Sequence, residues 1–289
     1  MNIFQWILNP NVPLGDWAES LFDWLLANVS GFFDVIKAIV GSLYSALDFV
    51  LASPPYWIMI LIFAAIAFFA SGWKLSVFTV IGFWLIRSFD LWPHAMDTLA
   101  LVIVAVVIAL VISIPLGILA ARYKCVSSVV RPIMDLMQTT PTMVYLIPAI
   151  IFFGIGSVPG AVATVVFSLP PGVRLTELAI RQVDQEVVEA GQAFGSSSGR
   201  ILRQIQIPLA MPTIMAGVNQ VIMLALSMVV IAGMAGAEGL GKDVNESLQQ
   251  LDTPLGVEAG LSVVIIAVFL DRVTSAAGQR RRIGQADSH

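Results

Sequence analysis

Few side chains in this 289-residue chain are of a type that performs covalent chemistry, and their spacing does not assemble a catalytic group. Cys125 is the only cysteine, so an intrachain disulfide or a multi-thiolate metal site cannot form. His94 and His289 are the only histidines, and their separation argues against a metal centre. A complete Gly-x-x-x-x-Gly-Lys-Ser/Thr stretch is missing, since Gly236–Lys242 is followed by Asp243, so ATP would have to bind another chain. An intramembrane enzyme needs a nucleophile with a base, or a metal cluster, and the apolar segments offer neither. What remains is non-covalent chemistry by polar groups inside apolar stretches. Asp135, Gln138, Thr142 and Tyr145 fall three or four apart and give one polar face to an otherwise apolar helix. Asn219 and Ser227, with Met223 between them, form a second such face. Polar groups at membrane depth face the protein interior or a water-filled route, so these faces either bond helices together or line a solute pathway. Pro141 and Pro148 free backbone carbonyls that can coordinate a solute or let a gate flex.

The elements that carry these residues are membrane spans. The chain is 58% hydrophobic and 12% charged, against roughly 45–50% apolar and about 25% charged in soluble domains. Candidate spans are Trp57–Ala70, Leu75–Ile86, Leu99–Ala121, Ile133–Phe153, Val158–Pro170, Met211–Met234 and Val257–Leu270. Several approach the roughly 20 residues needed to cross a hydrocarbon core. Leu75–Ile86 and Val158–Pro170 are short, and the former must extend through Arg87 and Phe89. The expected fold is all-α and polytopic, with about seven transmembrane helices. Met1–Pro13 lacks the basic n-region and long apolar stretch of a cleavable signal, so the spans themselves are expected to direct insertion.

Charge orients the bundle. With the segment around Glu189 in the cytoplasm, twelve of the fifteen basic residues fall inside, and only Lys37, Arg87 and Lys242 fall outside. Inverting the topology would oppose the positive-inside bias. The expected topology therefore has the N-terminus outside and the C-terminus in the cytoplasm.

Four regions differ in character. Residues 1–55 read as an external amphipathic tail. Leu21, Trp24, Leu25, Val29, Phe32, Phe33, Ile36, Ile39 and Val40 repeat at helical spacing, opposite Glu19, Asp23, Asp34 and Lys37. Such a helix lies on the membrane, with breaks expected at Gly31 and Gly41 and an end at Ser53-Pro54-Pro55. Residues 56–93 form an additional transmembrane hairpin, and residues 94–275 the core. Residues 276–289 are a polar, basic cytoplasmic tail. All seven tryptophans precede the core, several at expected membrane interfaces.

Within the core, residues 183–208 form a long polar connection. Glu189-Ala190-Gly191-Gln192-Ala193-Phe194-Gly195 is followed after nine residues by Ile205-Gln206-Ile207-Pro208. Val183, Val187, Ala190 and Phe194 recur at helical spacing, a stripe that needs a groove on another protein. Gly195 suits the left-handed end of a helix, and Ser196, Ser197 and Ser198 offer caps for the next, whose Arg200 and Arg203 face the cytosol. Pro208 is expected to fix the bend into the following span. The segment resembles the E-A-A-x-x-x-G-x9-I-x-L-P signature of permease subunits from ATP-binding-cassette importers, with Gly191 in place of the second Ala and Ile207 in place of Leu. The resemblance implies a type I importer core in which this loop docks on a separate ATPase subunit. It gives Glu189, Ala190, Gly191, Ala193, Phe194, Gly195, Arg200, Ile205, Ile207 and Pro208 to that coupling.

The resemblance extends to 57–275. Asp135–Ile150 and Asn219–Ala232 look like two spans of glycine betaine/proline betaine permeases, and Gly239-Leu240-Gly241 and Gly256–Gly260 add to the match. It implies a homodimeric permease in a bacterial inner (plasma) membrane, two cytoplasmic ATPases holding ATP and magnesium, and an extracytoplasmic substrate-binding protein. The solute would be a quaternary ammonium osmolyte, with no nucleic acid involved and no cofactor on this chain. Gln138, Thr142, Tyr145, Asn219, Met223 and Ser227 would line the path. The core aromatics Tyr123, Tyr145, Phe152, Phe153, Phe167, Phe194 and Phe269 are scattered, so an aromatic cage in the channel is not expected. A choline, carnitine or proline permease of the same architecture remains open. An ion-coupled carrier would show paired repeats with broken helices, and no convincing internal repeat is present.

Overall fold

The computed structural model describes residues 13–286, with side chains described to residue 276. Its helices follow from long apolar runs interrupted by proline and glycine. α1 spans Leu14–Ala52, α2 Tyr56–Ser71, α3 Trp73–Ser88 and α4 Trp92–Arg122. α5 spans Lys124–Thr139; a 3₁₀ turn over Thr142–Tyr145 leads into α6, Leu146–Phe153. α7 is Ser157–Arg181 and α8 Gln185–Ala193. α9 is the helical run Ser198–Ala235, containing a π-turn at Leu202–Gln206. α10 is Leu240–Gln250 and α11 Thr253–Ala286. By length and composition five of these suffice to cross a membrane: α1, α4, α7, α9 and α11 over Thr253–Ala276. α2 and α3, at 16 residues each, are shorter, about 24 Å at 1.5 Å per residue.

α7 is the centre of the bundle, packed between α4 and α9. Small residues permit the approach. A Cβ on Gly172 of α7 would lie 2.8 Å from Ser113 Cβ on α4 and 3.1 Å from Val221 Cγ2 on α9. α11 closes the other side of α9 and also meets the α2–α3 hairpin. Buried Phe63, Phe83 and Phe269 join those three helices.

Three expectations change. Ile133–Phe153 is not one helix: the chain bends by 111° between α5 and the Thr142–Phe153 segment. Pro141 has no N–H to continue the helix and forces Thr140 into extended backbone, with φ −73° and ψ 129°. The polar face expected from Asp135 to Tyr145 is therefore divided between two elements. α1 runs unbroken through Gly31 and Gly41 for 39 residues and stops before Pro54. Two helix glycines cost about 1 kcal/mol each, which docking of Ile36, Val40, Tyr44 and Leu47 on the core offsets. At Pro208 the expected bend is replaced by the π-turn: Ile207 N–H bonds Leu202 O, one residue beyond the usual partner, and the helical run continues.

The α4–α7 contact gives a direct test. Gly172→Val should destabilise the subunit by about 1–3 kcal/mol through overpacking against Ser113 and Val221. A lowered unfolding midpoint in detergent, with the folded far-UV spectrum retained, is the expected result.

Candidate functional site

α8 projects from the end of the bundle at which α4 and α7 finish. Asp184 caps it, its carboxylate accepting the Glu186 N–H at 2.9 Å. Gly195 ends it at φ +77°: Gly195 N–H bonds Gln192 O at 2.8 Å and Ser196 N–H bonds Gly191 O at 3.1 Å. This paired closure satisfies the last carbonyls and requires a residue that tolerates the left-handed region. Ser197 takes the N-cap position of α9 with extended backbone, but its hydroxyl makes no capping bond.

The two halves of the signature touch. A Cβ on Gly191 would lie 2.8 Å from Ile205 Cδ1 and 3.5 Å from Ile201 Cγ1. Glycine therefore lets the flank of α8 rest on the start of α9. The expected stripe divides. Val183 turns inward, buried with Ala179, Ile180, Ala210 and Ile214, and Val188 packs on the same cluster. Val187, Ala190 and Ala193 are exposed, and Phe194 is 91% exposed. Glu189, Arg200 and Arg203 are exposed as well, while Ile205, Ile207 and Pro208 are half-buried. Behind α8 lies a mostly polar cleft of about 580 Å³, lined by residues including Arg122, Arg181, Gln185, Glu189, Gln192 and Gln206.

The expected pathway residues sit in different settings. Gln138 is exposed at the end of α5 and Thr142 half-buried in the 3₁₀ turn. Tyr145 donates its hydroxyl hydrogen to Met137 O, bridging the break at Pro141. On α9, Met223 and Ser227 share an exposed face, and Ser227 Oγ bonds back to Met223 O at 3.0 Å. Asn219 turns to α11, donating to Asp271 Oδ1 at 3.0 Å and accepting from Thr274 at 3.3 Å.

Sequence spacing hid three groupings. Glu177 of α7 is buried and accepts hydrogen bonds from Ser127, Arg131 and Arg181. The only signal was an acidic residue four before Arg181 at the end of an apolar run. His94 is not isolated: its Nδ1 lies 2.7 Å from Asp243 Oδ2. Beside it, Thr98 Oγ1 accepts the Leu240 N–H at 2.8 Å, and Gly239, at φ +111°, permits the approach. Burial pushes the Asp243 carboxyl up from its ordinary value, and the His94 bond offsets part of that rise. The aromatics are also less scattered than expected. Phe33 of α1 stacks on Phe152 at 4.3 Å, and with Tyr145 and Phe153 they border an almost wholly apolar cavity of about 260 Å³.

An apolar helix bundle that leaves a short, capped helix uncovered at the end of its central spans has the build of a multi-pass membrane transport subunit. The chain belongs to the family of binding-protein-dependent transport system inner membrane components, whose model matches residues 113–283. It is 47% identical over 269 residues to the glycine betaine transport system permease protein OpuAB of Bacillus subtilis, covering 92% of this chain and 94% of that protein. It is 46% identical to the glycine betaine/carnitine transport permease protein GbuB of Listeria monocytogenes, over 94% of this chain and 98% of the relative. The glycine betaine/proline betaine transport system permease protein ProW of Escherichia coli is 43% identical, covering 94% of this chain and 77% of its own length. The fold matches an inward-facing structure of the MetNI methionine ABC transporter with a TM-score of 0.56 at 22% identity, over 69% of this chain and 96% of that one.

The contact inside the signature is testable without transport. Gly191→Val should press on Ile205 and lift α8 from α9. Hydrogen exchange over 185–206 is expected to rise roughly tenfold, about 1.4 kcal/mol of local stability, while the spans stay protected.

Proposed function

We propose that this subunit is the membrane gate of an ATP-driven importer of glycine betaine, proline betaine and related quaternary ammonium solutes, with ATP and magnesium held by a separate cytoplasmic ATPase. The observation that carries the coupling is the uncovered ridge of Val187, Ala190 and Phe194, raised on a helix capped at both ends. A largely exposed phenylalanine beside a valine is a surface that a partner's groove would cover. Glu189, Gly191, Ala193, Gly195, Arg200, Ile205, Ile207 and Pro208 then shape or flank that dock. The solute class rests on the names of the relatives, of which the Listeria protein adds carnitine and makes it the main competitor.

In this reading two copies of the chain pair across the membrane. The acidic outer segment from Glu238 to Asp252 receives a loaded substrate-binding protein. ATP draws the two α8 helices together, the spans open outward, and hydrolysis returns them inward. Nucleotide shifts that equilibrium only by binding one state more tightly than the other. The N-terminus lies outside and the C-terminus inside, in accord with the positive-inside bias, and α1 braces the outer part of the core through Phe33 and Phe152. Gln138, Thr142, Tyr145, Asn219, Met223 and Ser227 border the route. The aromatic cavity lacks a cationic partner for a betaine carboxylate, which favours solute choice by the binding protein. Tyr145→Ala and Phe152→Ala should accordingly slow uptake without switching the preferred solute.

The experiment is uptake of labelled glycine betaine into proteoliposomes holding this subunit, its ATPase and its binding protein, with and without internal ATP. Choline, carnitine and proline serve as unlabelled competitors. ATP-dependent uptake with weak competition is expected; uptake indifferent to ATP would sink the coupling, and ATPase stimulation without betaine uptake would discard the solute. Phe194→Ala should leave the subunit's own stability within about 0.5 kcal/mol yet weaken ATPase binding by about 2 kcal/mol, roughly thirtyfold. Gly195→Asp should uncouple ATP hydrolysis from uptake.

A further inference from the structure

We infer that Glu177 is the positioning residue that fastens α5 to the cytoplasmic half of α7, so that both move with α8 as one block hinged at paired prolines. The inference rests on the proposed coupling of α8 to an ATPase.

Four observations converge. Glu177 retains 4% side-chain exposure and accepts from Ser127 Oγ at 2.8 Å, Arg131 Nη2 at 2.9 Å and Arg181 Nε at 2.9 Å. Arg181 also donates to Ala120 O at 2.9 Å, which ties the end of α4 into the group. One turn nearer the membrane centre, Arg174 of α7 pairs with Asp135 of α5. The charges therefore alternate across the contact, basic to acidic and acidic to basic. A cleft of about 240 Å³ lies between the two pairs, lined by Arg131, Asp135, Arg174, Glu177 and Leu178.

Apolar packing beside these pairs forms two clusters. In the first, Val130 and Met134 of α5 pack with Leu169 and Val173 of α7. In the second, Leu146 and Ala149 of α6 pack with Ala163, with Tyr145 and Phe167 against them. Pro141 separates the clusters on the α5–α6 side, and on α7 Pro170-Pro171 fall between Leu169 and Val173 of the first cluster. Pro170 and Pro171 cannot donate to the carbonyls of Val166 and Phe167, so α7 is softest there. The lower half of α7 reaches α8 through only three residues, 182–184.

A buried carboxylate held by several donors is strongly disfavoured once they leave, although an apolar replacement of the whole group would pack as stably. Displacement of α8 therefore carries α5 along instead of shearing α5 from α7. The same movement changes the angle at Pro141, where Gln138 and Thr142 stand on either side. Glu177 thus acts through geometry and touches no solute.

The test measures ATP hydrolysed per glycine betaine imported by the reconstituted complex. Glu177→Gln should raise that ratio roughly fivefold or more while binding-protein-stimulated ATPase stays within about twofold of native. Asp135→Arg and Arg174→Asp, on the exposed pair, should each raise the ratio roughly two- to fivefold, and combining them should restore it. A second readout requires neither solute nor ATPase. With Cys125→Ser as background, spin labels at exposed Val129 and Leu178 should give a narrow distance distribution that broadens in Glu177→Gln. An unchanged ratio in all single variants, a proportional fall of ATPase and uptake together, or an unaltered label distribution would each overturn the inference. Absence of ATP-dependent uptake in the native complex would instead sink the proposed function, and the label distances would still decide the role of Glu177.

Discussion

Helices in hydrocarbon gain little by burying leucine against leucine, since lipid tails are equally apolar, so contact quality decides how they associate. The position of α7 depends on that constraint. It lies close to α4 and α9 because Gly172 leaves room for Ser113 and Val221, and Gly117 leaves room for Thr176. The C-terminal half of α7 is consequently held against two spans rather than one. α8 follows it almost immediately and inherits that placement. Under the proposed coupling, a looser crossing would leave α8 on a pivot, and movement at its exposed ridge would dissipate before reaching the spans.

Backbone hydrogen bonding sets the second limit. Irregular backbone at membrane depth persists where its freed groups are bonded again. At Pro141 the Tyr145 hydroxyl donates to the Met137 carbonyl, so a member of the divided polar stripe stabilises the break that Pro141 makes. At the end of the bundle opposite α8, Thr98 accepts the buried Leu240 N–H while His94 holds Asp243, fixing α10 against α4. The bundle is thus bent at α5–α6 and pinned where α10 meets α4.

The apolar stretches, the helix within the long connection and its glycine end could all be read from residue type and spacing. Composition dictates the first, and left-handed backbone the last. The Pro141 break was legible in part: proline announced freed carbonyls, but a kinked helix and a 111° bend carry the same local signal. The continuity of α1 through Gly31 and Gly41 was hidden because tertiary docking outweighs two weak helix formers. Glu177, His94 with Asp243, and Phe33 on Phe152 join residues 46 or more positions apart, and pattern within a window contains no distance of that kind. Val183 faced the wrong way in the expected stripe because helical spacing gives a face but not which side of it the bundle covers.

The long spacing within the signature has a mechanical origin. Its first half lies on α8 and its second runs from the end of the π-turn into the following helix, and the intervening residues turn the chain back until Gly191 meets Ile205. The two halves are thus two sides of one contact. Alanine at position 191 would place its methyl 2.8 Å from Ile205 Cδ1, so the flexible end of that isoleucine would have to move aside. Glycine relieves this conflict at a helix-propensity cost of about 1 kcal/mol. The cost falls on a nine-residue helix whose ends are already secured by Asp184 and Gly195. Local helix strength is therefore exchanged for a close seat on α9. For the proposed docking role that seat matters more than intrinsic helicity, because a push on Phe194 would reach the spans through the contact of α8 with α9.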